Sequence, residues 1–585
     1  MARQPPKFTR HVWSQLWRLS KPFFFGKTWR RAWFLLAALL SLSLLVTYVG
    51  IKANMANGNF VNALQIRDDK GYSYWLKFYL ATFALSVPLA AFYRYCEERL
   101  GLSWRDVLAR TLMQRYFHNR AYFHLGSSEA IDNPDQRISE DAKNFTITTL
   151  SFLLIIMNSV IQIVGYTGVL MAISPRLVAA LFGYAFFGTA GAYLIGKRLI
   201  GLNYMQYERE ANFRYGLVRV RDNAESIAFY RGERRELNDL RARLGAVVGN
   251  MMVLIRWNRN LAFFTTGYNS LALILPVLFV APLYLQGKVG LGEITKATGA
   301  FAVVLAAVSM VITQFERLSA FAAGVTRLGD LWDYLDERDA EDDLDQEGEN
   351  IDICEEERTI VLEDLTVKTP QGQRVLLKDL TFRLPPGGSL LIMGESGSGK
   401  SSLLRTIAGL WSCGEGFIGR PPYRNMMFLP QRPYMIPGSL RNLLEYPGAK
   451  QKPDDNKLRE VLKIVNLRNL AGRVENDFDR EADWSNMLSL GEQQRVSFAR
   501  LLLRKPAIAF LDESTSALDE PNEERAYHYL REHRYTYVSV GHRSTLLQHH
   551  DWLMKIGKDA TWEIHKISEM EEQLPDAARQ AGPGL

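Results

Sequence analysis

The sequence predicts a bundle of six membrane-spanning α-helices followed by an α/β domain, and three observations support this division. The chain has 585 residues, more than one compact core usually holds. Long apolar runs are concentrated before residue 325, whereas charged sequence dominates after it. Residues 394–401 read GESGSGKS, between an apolar run of strand type at 389–393 and a segment with helical spacing at 402–410. That context is typical of a phosphate-binding loop.

Six stretches of the first half contain no Asp, Glu, Lys or Arg. A spanning helix needs roughly 17 to 25 mostly apolar residues, so five of the stretches are long enough by themselves. The second is shorter and needs Lys77 or Arg94 to snorkel to the membrane surface. A buried helix of a soluble protein would explain any one stretch, but six in succession favour a membrane domain. The stretches are Ala32–Ile51, Phe78–Tyr93, Asn144–Pro175, Leu177–Gly196, Leu261–Gly287 and Ala297–Phe315.

Basic residues are distributed unequally between the two sides of these spans. Lys and Arg number 8 before the first span, 8 between the second and third, and 13 between the fourth and fifth, against 4, 1 and 2 in the other three loops. The positive-inside rule therefore predicts that both termini are cytoplasmic. The formal net charge of +7 then follows mostly from topology, and no nucleic-acid partner is expected. The basic, aromatic-rich segment Met1–Arg31 is either a helix on the anionic inner leaflet or a solvated tail.

The segments between the spans predict how the domains are arranged along the chain. Pro175 and Arg176 leave room only for a tight external hairpin. Acidic residues crowd together from Asp333 to Glu349, a pattern typical of a solvated linker. The expected parts are a transmembrane domain at 1–332, an acidic linker at 333–352 and a nucleotide-binding domain at 353–585.

The loop at 394–401 predicts an ATP site. Its glycines allow backbone amides to curl around phosphate oxygens. Lys400 is expected to reach the β- and γ-phosphates, and Ser401 to offer its hydroxyl to Mg²⁺. The ATP contacts predicted for this segment are Gly394, Glu395, Ser396, Gly397, Ser398, Gly399, Lys400, Ser401 and Ser402.

Two further predicted strands end in polar side chains. The apolar run 507–511 is followed by Asp512 and Glu513, and the run 537–540 leads to His542. Open parallel sheets bind ligands at the carboxyl ends of their strands. We therefore expect Asp512 to orient Mg²⁺ and Glu513 to polarise the attacking water, with His542 bonded to the γ-phosphate. An acidic turn or a structural histidine would explain either strand end alone, but the complete phosphate loop favours catalysis.

Residues 488–495 read LSLGEQQR, which resembles the signature motif of ABC transporter ATPases. The resemblance implies an ATP hydrolase in which Gln431 is both a ligand of Mg²⁺ and a catalytic residue. The other motifs of that family occur in the expected order: GESGSGKS, Gln431 within FLPQRPYM, FLDE at 510–513, SALD at 516–519 and GH at 541–542.

In the ABC family two such domains close head to tail. By resemblance, Ser489 and Gly491 of one copy contact the γ-phosphate held by Lys400 of the other, and Glu492 and Asp519 complete the ATP-binding set. One chain carries one of each motif. The resemblance therefore implies a half-transporter that acts as a homodimer, with ATP and Mg²⁺ as cofactors.

Two positions depart from the family pattern. Leu490 stands where many ABC proteins have glycine, although the Ser489 hydroxyl and the Gly491 amide remain. No aromatic residue occurs at Val367–Pro370, where the family commonly stacks adenine. ATP contact is expected to survive the first departure, whereas the second leaves the adenine contact open.

Six spans followed by the ATPase resemble the exporter-type ABC fold. The segments IDNPDQRISED at 131–141, NAESIAFYRGE at 223–233 and NGNFVNAL at 57–64 narrow the likeness. They resemble the group that contains bacterial BacA-related peptide and cobalamin transporters and peroxisomal fatty-acyl-CoA transporters. The resemblance implies cytoplasmic segments that pass closure of the ATPase dimer to the membrane helices near Gln431, although their charges would equally serve to solvate helix ends. The coupling residues predicted on this basis are Asn133, Asp135, Gln136, Arg137 and Glu225.

Three functions remain open at this point. The bacterial likeness favours transport of hydrophilic or amphipathic solutes such as cobalamin or peptides across a bacterial inner membrane, in either direction. A transporter of fatty acids or acyl-CoA is the first alternative, and a membrane-anchored regulatory ATPase that moves no solute is the second. The spans carry almost no charges, so candidates for a solute cavity are neutral polar and aromatic residues, which helix packing explains equally well. They are Asn158, Gln162, Tyr166, Tyr268 and Asn269.

Overall fold

The computed structural model describes residues 10–127, 131–313, 315–343, 351–355, 359–369, 374–448 and 452–572. The chain divides into two compact units, Met1–Leu344 and Asp345–Leu585.

The first unit is helical throughout its described elements. Short 3₁₀ and π-helical turns at His118–Arg120 and Arg137–Asp141 interrupt it. The α-helices are α1 (Arg10–Phe24), α2 (Trp29–Gln65), α3 (Asp69–Phe117), α4 (Ala121–Ser127), α5 (Pro134–Gln136), α6 (Ala142–Ile173), α7 (Pro175–Asp222), α8 (Ala224–Tyr230), α9 (Glu233–Leu285), α10 (Leu291–Thr313) and α11 (Phe315–Asp343).

Among the residues that the structure describes, six helices are long and apolar enough to cross a membrane. They correspond to the six predicted spans, which confirms that prediction. Only Ser174 separates α6 from α7, as expected for a tight hairpin. Helices α7 and α9 have 48 and 53 residues, about twice the length needed for a membrane. They therefore continue well beyond their apolar segments, and α8 joins them at the tip.

Helices α2 and α10 approach each other more closely than side chains normally allow. A methyl group added at Gly292 would lie 1.8 Å from the carbonyl oxygen of Gly58. Asn62 Oδ1 accepts the Gly292 amide at 2.5 Å, and Gln65 Oε1 accepts the Leu291 amide at 2.9 Å. Small residues of this kind allow two membrane helices to pack closely. The NGNFVNAL segment thus supplies both the close contact and the cap of α10.

Residues 333–343, which the sequence assigned to a solvated linker, lie in helix α11. Two acidic side chains of this part pair with bases from other helices: Asp333 with Arg18 at 2.7 Å, and Asp336 with Arg115. Leu335, on another face of the same helix, is buried. Tertiary ion pairs and one buried face therefore stabilise a helix where composition suggested none. Residues 344–350 lie outside the described residues.

The second unit contains two main sheets. The larger has the strand order β12-β11-β4-β10-β9-β6, in which β12 alone is antiparallel, and the smaller has the order β1-β5-β2-β3, beside a short β7-β8 pair. The strands are β1 (Asp352–Glu355), β2 (Ile360–Lys368), β3 (Val375–Leu384), β4 (Ser389–Gly394), β5 (Gly414–Arg420), β6 (Met426–Leu429), β7 (Gly438–Ser439), β8 (Glu481–Ala482), β9 (Ile508–Asp512), β10 (Thr536–Val540), β11 (Trp552–Ile556) and β12 (Trp562–Lys566).

Helices pack around these sheets over apolar cores. The strands predicted at 389–393, 507–511 and 537–540 are β4, β9 and β10, and the helix predicted after the phosphate loop is present. The helices are α12 (Lys400–Ile407), α13 (Leu440–Glu445), α14 (Asp455–Ile464), α15 (Trp484–Met487), α16 (Leu490–Arg504), α17 (Glu520–Glu532) and α18 (Ile567–Glu572).

Candidate functional site

The candidate site lies where three parallel strands of the second unit end together. Strand β10 lies between β4 and β9, and Val540 at its end pairs with Ile392 on one side and Asp512 on the other. The residues that follow each strand therefore meet at one edge of the sheet. This edge holds the phosphate loop, the two carboxylates and His542.

The phosphate loop has the backbone that its glycines were expected to provide. Gly397 and Gly399 adopt φ values of 81° and 102°, which glycine reaches without steric cost. Lys400 Nζ donates to the carbonyl oxygens of Gly394 at 2.8 Å and Glu395 at 2.7 Å. Burial lowers the pKa of the Lys400 ammonium. Its charge is therefore desolvated inside the loop, a cost that phosphate oxygens would compensate.

Other loop residues differ in exposure. The buried Ser398 hydroxyl has no hydrogen-bond partner among the described residues, as suits a group that meets a ligand. Ser396 is exposed and Ser402 is half-buried in the first turn of α12. Glu395 forms an ion pair with Lys558 at the surface. Its carboxylate thus has a partner away from the loop interior.

Two oxygen ligands stand together beside the loop. Ser401 Oγ donates to Asp512 Oδ1 at 3.1 Å. Burial raises the pKa of the Asp512 carboxyl, which Ser401 partly offsets. A half-buried carboxylate beside a hydroxyl matches the oxygen ligands that Mg²⁺ prefers. The residues present therefore fit the predicted metal.

Glu513 is held from two sides by the residues predicted to act with it. Its Oε2 accepts from Gln431 Nε2 at 2.7 Å, and its Oε1 lies 3.2 Å from His542 Nε2. Its backbone has a φ of 47°, a conformation that is uncommon for residues other than glycine and is concentrated at functional sites. The structure thus brings together all three residues predicted to be catalytic.

The signature residues stand at the start of helix α16. Ser489 Oγ accepts the Glu492 amide at 3.3 Å, and Glu492 Oε2 accepts the Ser489 amide at 2.9 Å, which forms a capping box. Arg473, 2.5 Å from Glu492, lowers the pKa of its carboxyl. Glu492, predicted to bind ATP, is therefore engaged in fixing the backbone of Ser489.

The segment 516–519 packs against this helix start. A methyl group at Gly491 would lie 2.8 Å from the Ala517 carbonyl oxygen. Asp519 caps helix α17 by accepting the Asn522 amide at 3.2 Å. In the described part of one chain, the contacts of Ser489, Gly491 and Asp519 are with this segment and with the starts of α16 and α17. None of them is with the phosphate loop of the same chain.

At the predicted position for adenine stacking, the described residues Val367 and Lys368 expose no apolar side chain. Val367 is buried in the sheet core, and Lys368 pairs with Glu415 at 2.9 Å. Pro370 lies outside the described residues.

The predicted coupling residues of the first unit differ from one another. Arg137 is 5% exposed and donates to the backbone of Asp132 and Arg327, so it ties its segment to α11. Asn133 adopts a φ of 44°, and Asp135 and Gln136 lie in the short helix α5. Glu225 is exposed in the first turn of α8. Sequence reasoning did not single out Phe229 and Tyr230, which are 80% and 87% exposed on the same short helix.

The cavity candidates mostly take part in helix packing. Asn158 Nδ2 donates to Tyr93 at 2.7 Å and its carbonyl oxygen accepts from Ser43. Tyr268 stacks on Tyr184 with ring centroids 4.3 Å apart. Tyr166 is buried, Gln162 is half-buried and Asn269 is exposed.

Comparison with known proteins decides the family. One family model, described as ABC transporter transmembrane region 2, matches residues 19–285, and another, described as ABC transporter, matches residues 377–516. An uncharacterised ABC transporter ATP-binding protein of Synechocystis is 44% identical over 545 residues, which cover 92% of this chain and 82% of the relative. The chain belongs to the ABC transporter family.

The transporter has eukaryotic relatives over nearly its whole length. It is 36% identical to the chloroplastic ABC transporter D family member 2 of Arabidopsis thaliana, over 96% of this chain and 89% of the relative. It is 30% identical to the human lysosomal cobalamin transporter, over 90% of this chain and 92% of the relative. It is thus a multi-pass membrane half-transporter of the D-family and BacA-like group, which binds ATP and couples its hydrolysis to transport.

Two buried side chains of α16 carry contacts that sequence reasoning missed. Arg500 donates to the carbonyl oxygens of Tyr434 and Leu443, each at 2.8 Å, and burial lowers its pKa to about 10. Gln494 forms hydrogen bonds with two other segments of the ATPase unit, at Gln431 and at Ser516–Ala517. Its only sequence signal is its position three residues after Gly491, on the same face of the helix.

Proposed function

We propose that two copies of the transporter close head to tail around ATP. Each nucleotide would lie between the phosphate loop of one copy and the Ser489–Gly491 turn of the other. The turn is suited to this role because it forms the N-terminus of a 15-residue helix, where free amides and the helix dipole favour an anion. The capping box keeps that turn in place.

The observation that carries the proposed hydrolytic site is the position of Glu513. Gln431 and His542 hold both of its carboxylate oxygens, beside the Ser401–Asp512 pair. We infer that Glu513 orients the attacking water and accepts its proton, since phosphoryl transfer depends mainly on positioning and charge stabilisation. Mg²⁺, held by Ser401, Asp512 and Gln431, would neutralise charge on the phosphate oxygens.

The cargo that the transporter's features support best is a hydrophilic or amphipathic solute of the cobalamin or peptide class. The name of the human relative and the extent of its likeness support cobalamin. We place the protein in a bacterial inner membrane with both termini in the cytoplasm, in accord with the basic loops and the Synechocystis relative.

A groove in the first unit supports a cargo with balanced charges. It lies between α3 and α6 and has a volume of about 400 Å³. Two arginines and two glutamates line it together with apolar side chains, so its formal charge is zero. A polyanion such as acyl-CoA would require an excess of basic groups. The charged lining residues are Arg94, Glu97, Glu98 and Arg105.

The test is transport from a known side into proteoliposomes, with cobalamin, a peptide and an acyl-CoA as cargo. ATP-dependent movement of cobalamin or peptide that is lost in Glu513→Gln is the expected result. Movement of the acyl-CoA alone would reject the proposed cargo class in favour of acyl-CoA. ATP hydrolysis without movement of any of the three would favour a regulatory ATPase.

The groove is tested by Arg105→Gln, which should weaken cobalamin or peptide transport while ATP hydrolysis continues. Arg110→Gln is the matched control because Arg110 is exposed on the same helix and pairs with Asp106 at 2.8 Å. Equal transport by both variants would remove the groove from the cargo path.

Coupling is tested by Glu225→Ala. We infer that the exposed α8 helix passes closure of the ATPase to the membrane helices, so this variant should hydrolyse ATP without moving solute. The control is Glu208→Ala, because Glu208 is also exposed but lies on α7. Full transport by Glu225→Ala would contradict the inference.

A further inference from the structure

Gln494 connects the start of the signature helix to two other segments of the ATPase unit. Its Nε2 donates to the Gln431 carbonyl oxygen at 3.4 Å and to Ser516 Oγ at 3.3 Å. Its Oε1 accepts the Ala517 amide at 3.0 Å. The side chain is 0% exposed. Both amide hydrogens and the oxygen are therefore used, and no water reaches them.

These contacts close a ring of interacting residues that includes Glu513. Gln431 donates to Glu513, and Glu513 lies against His542. Arg543, the next residue, donates to the carbonyl oxygens of Ser516 at 3.1 Å and Leu518 at 3.4 Å. Ser516 then contacts Gln494, which returns to Gln431. Gln494 is the member of this ring that lies on the signature helix.

The neighbouring Gln493 has the same side chain but only local contacts. Its Nε2 donates to the carbonyl oxygens of Leu488 at 3.0 Å and Ser485 at 3.2 Å, both just before the helix. It is half-buried. Gln494 therefore bonds to other segments of the unit, whereas Gln493, in the same turn of α16, bonds to the backbone just before the helix.

We propose that Gln494 is a positioning residue for ATP hydrolysis, which fixes Gln431 and the segment 516–519 relative to the signature turn. This inference rests on the proposed roles of Glu513 and Gln431. If the signature turn serves the nucleotide of the second copy, Gln494 also links the geometry of one site to occupation of the other. Removal of its amide removes all three hydrogen bonds and loosens the ring.

The experiment measures ATP hydrolysis by the full-length protein in nanodiscs over a range of ATP concentrations. Gln494→Ala should lower kcat about tenfold, the effect of losing roughly 1.4 kcal/mol of transition-state stabilisation, while KM for ATP stays within about twofold because the phosphate loop is untouched. Gln493→Ala should keep both values near those of the original protein. A purely structural role would instead lower the fraction of folded protein and leave kcat per folded molecule unchanged.

Normal kcat in folded Gln494→Ala, or an equal loss in Gln493→Ala, would overturn the proposal. Ser516→Ala, which removes one contact of the ring, decides the matter if Gln494→Ala fails to fold. It should lower kcat about threefold at constant KM, and unchanged kcat would count against the proposal. Glu513→Gln is measured in parallel. Normal hydrolysis by that variant would reject the proposed site itself, whereas an inactive Glu513→Gln beside a normal Gln494→Ala would reject only the role of Gln494.

Discussion

The two units of the transporter position their polar side chains in different ways. In the ATPase unit the site residues stand in short motifs that directly follow strands, so Lys400 and Ser401 follow β4 closely and Glu513 follows β9. In the membrane unit polar contacts join helices far apart in sequence, as Arg18 and Asp333 do. Strand ends deliver neighbouring residues to one edge, whereas helix pairs depend on the packing of the whole bundle. A substitution in the ATPase site should therefore affect chemistry, whereas a substitution between helices of the membrane unit should affect assembly.

The largest expected effect is on chemistry, from Glu513→Gln. Loss of a general base typically costs about 10²- to 10⁴-fold in rate, so ATP hydrolysis should fall by at least about 100-fold while ATP still binds. Nucleotide binding and phosphate release measure the two effects. Glu569→Gln, at an exposed position in α18, should retain full activity. Near-normal hydrolysis by Glu513→Gln would mean that another group serves as the base.

The next effect is on assembly, from Gly292→Ala. The added methyl group meets the Gly58 backbone, and backbone atoms cannot move aside as side chains do. We expect a loss of about 3 kcal/mol in stability, seen as a lower unfolding temperature in detergent. Gly168→Ala, where a methyl group meets nothing within 4 Å, should melt normally. Equal melting of the two variants would show that α2 and α10 have room for a methyl group at Gly292.

Acid should weaken the ATPase unit through His550. Burial lowers the pKa of His550 to about 4, below the ordinary value of about 6.5, so the folded state holds the neutral imidazole. The neutral buried imidazole therefore contributes its full stability above the ordinary pKa. That contribution is lost as the pH falls from the ordinary pKa towards the lowered pKa of the folded state. About 2 kcal/mol should be lost between about pH 7 and pH 5.

Thermal unfolding at the two pH values tests this prediction. His550→Leu should flatten the pH dependence, whatever its stability at neutral pH. His533→Gln, at an exposed position, should leave the dependence unchanged. A pH dependence that persists in His550→Leu would assign the acid sensitivity to other groups.

The smallest effect is expected from Asp333→Asn in α11. The Arg18–Asp333 pair is partly exposed, at 51% and 28% of the two side chains, and such pairs contribute about 0.2 to 1 kcal/mol. The melting temperature should change by no more than a few degrees, and high salt should reduce the difference. A loss as large as that of Gly292→Ala would show that these ion pairs hold the bundle together.

The ATPase site was predictable because its residues follow predicted strands. Lys400, Ser401, Asp512, Glu513 and His542 could be placed at one edge without knowing any long-range contact. Gln431 required the family resemblance, since nothing in its own surroundings marks it. The ring through Gln494 was not predictable, because Gln493 beside it has the same side chain and only the fold distinguishes them.

In the membrane unit the number of spans followed from hydropathy, but the partners of polar groups did not. The acidic run after residue 332 suggested a solvated linker, since its composition gives no indication of the basic residues on α1 and α3 that pair with it. Arg137 belonged to a motif associated with coupling, yet its side chain is buried against α11. Both cases depend on pairing between distant helices, which composition and periodicity do not report.

The cap on α10 has a consequence for biogenesis. The first amides of this helix are satisfied by Asn62 and Gln65 of α2, so the last span to leave the ribosome depends on the first. Polar backbone groups near the membrane must find partners. A nascent chain that ends before α10 therefore leaves Gly58 and Asn62 without their partner helix, and we expect α2 to complete its packing only after α10 has been synthesised.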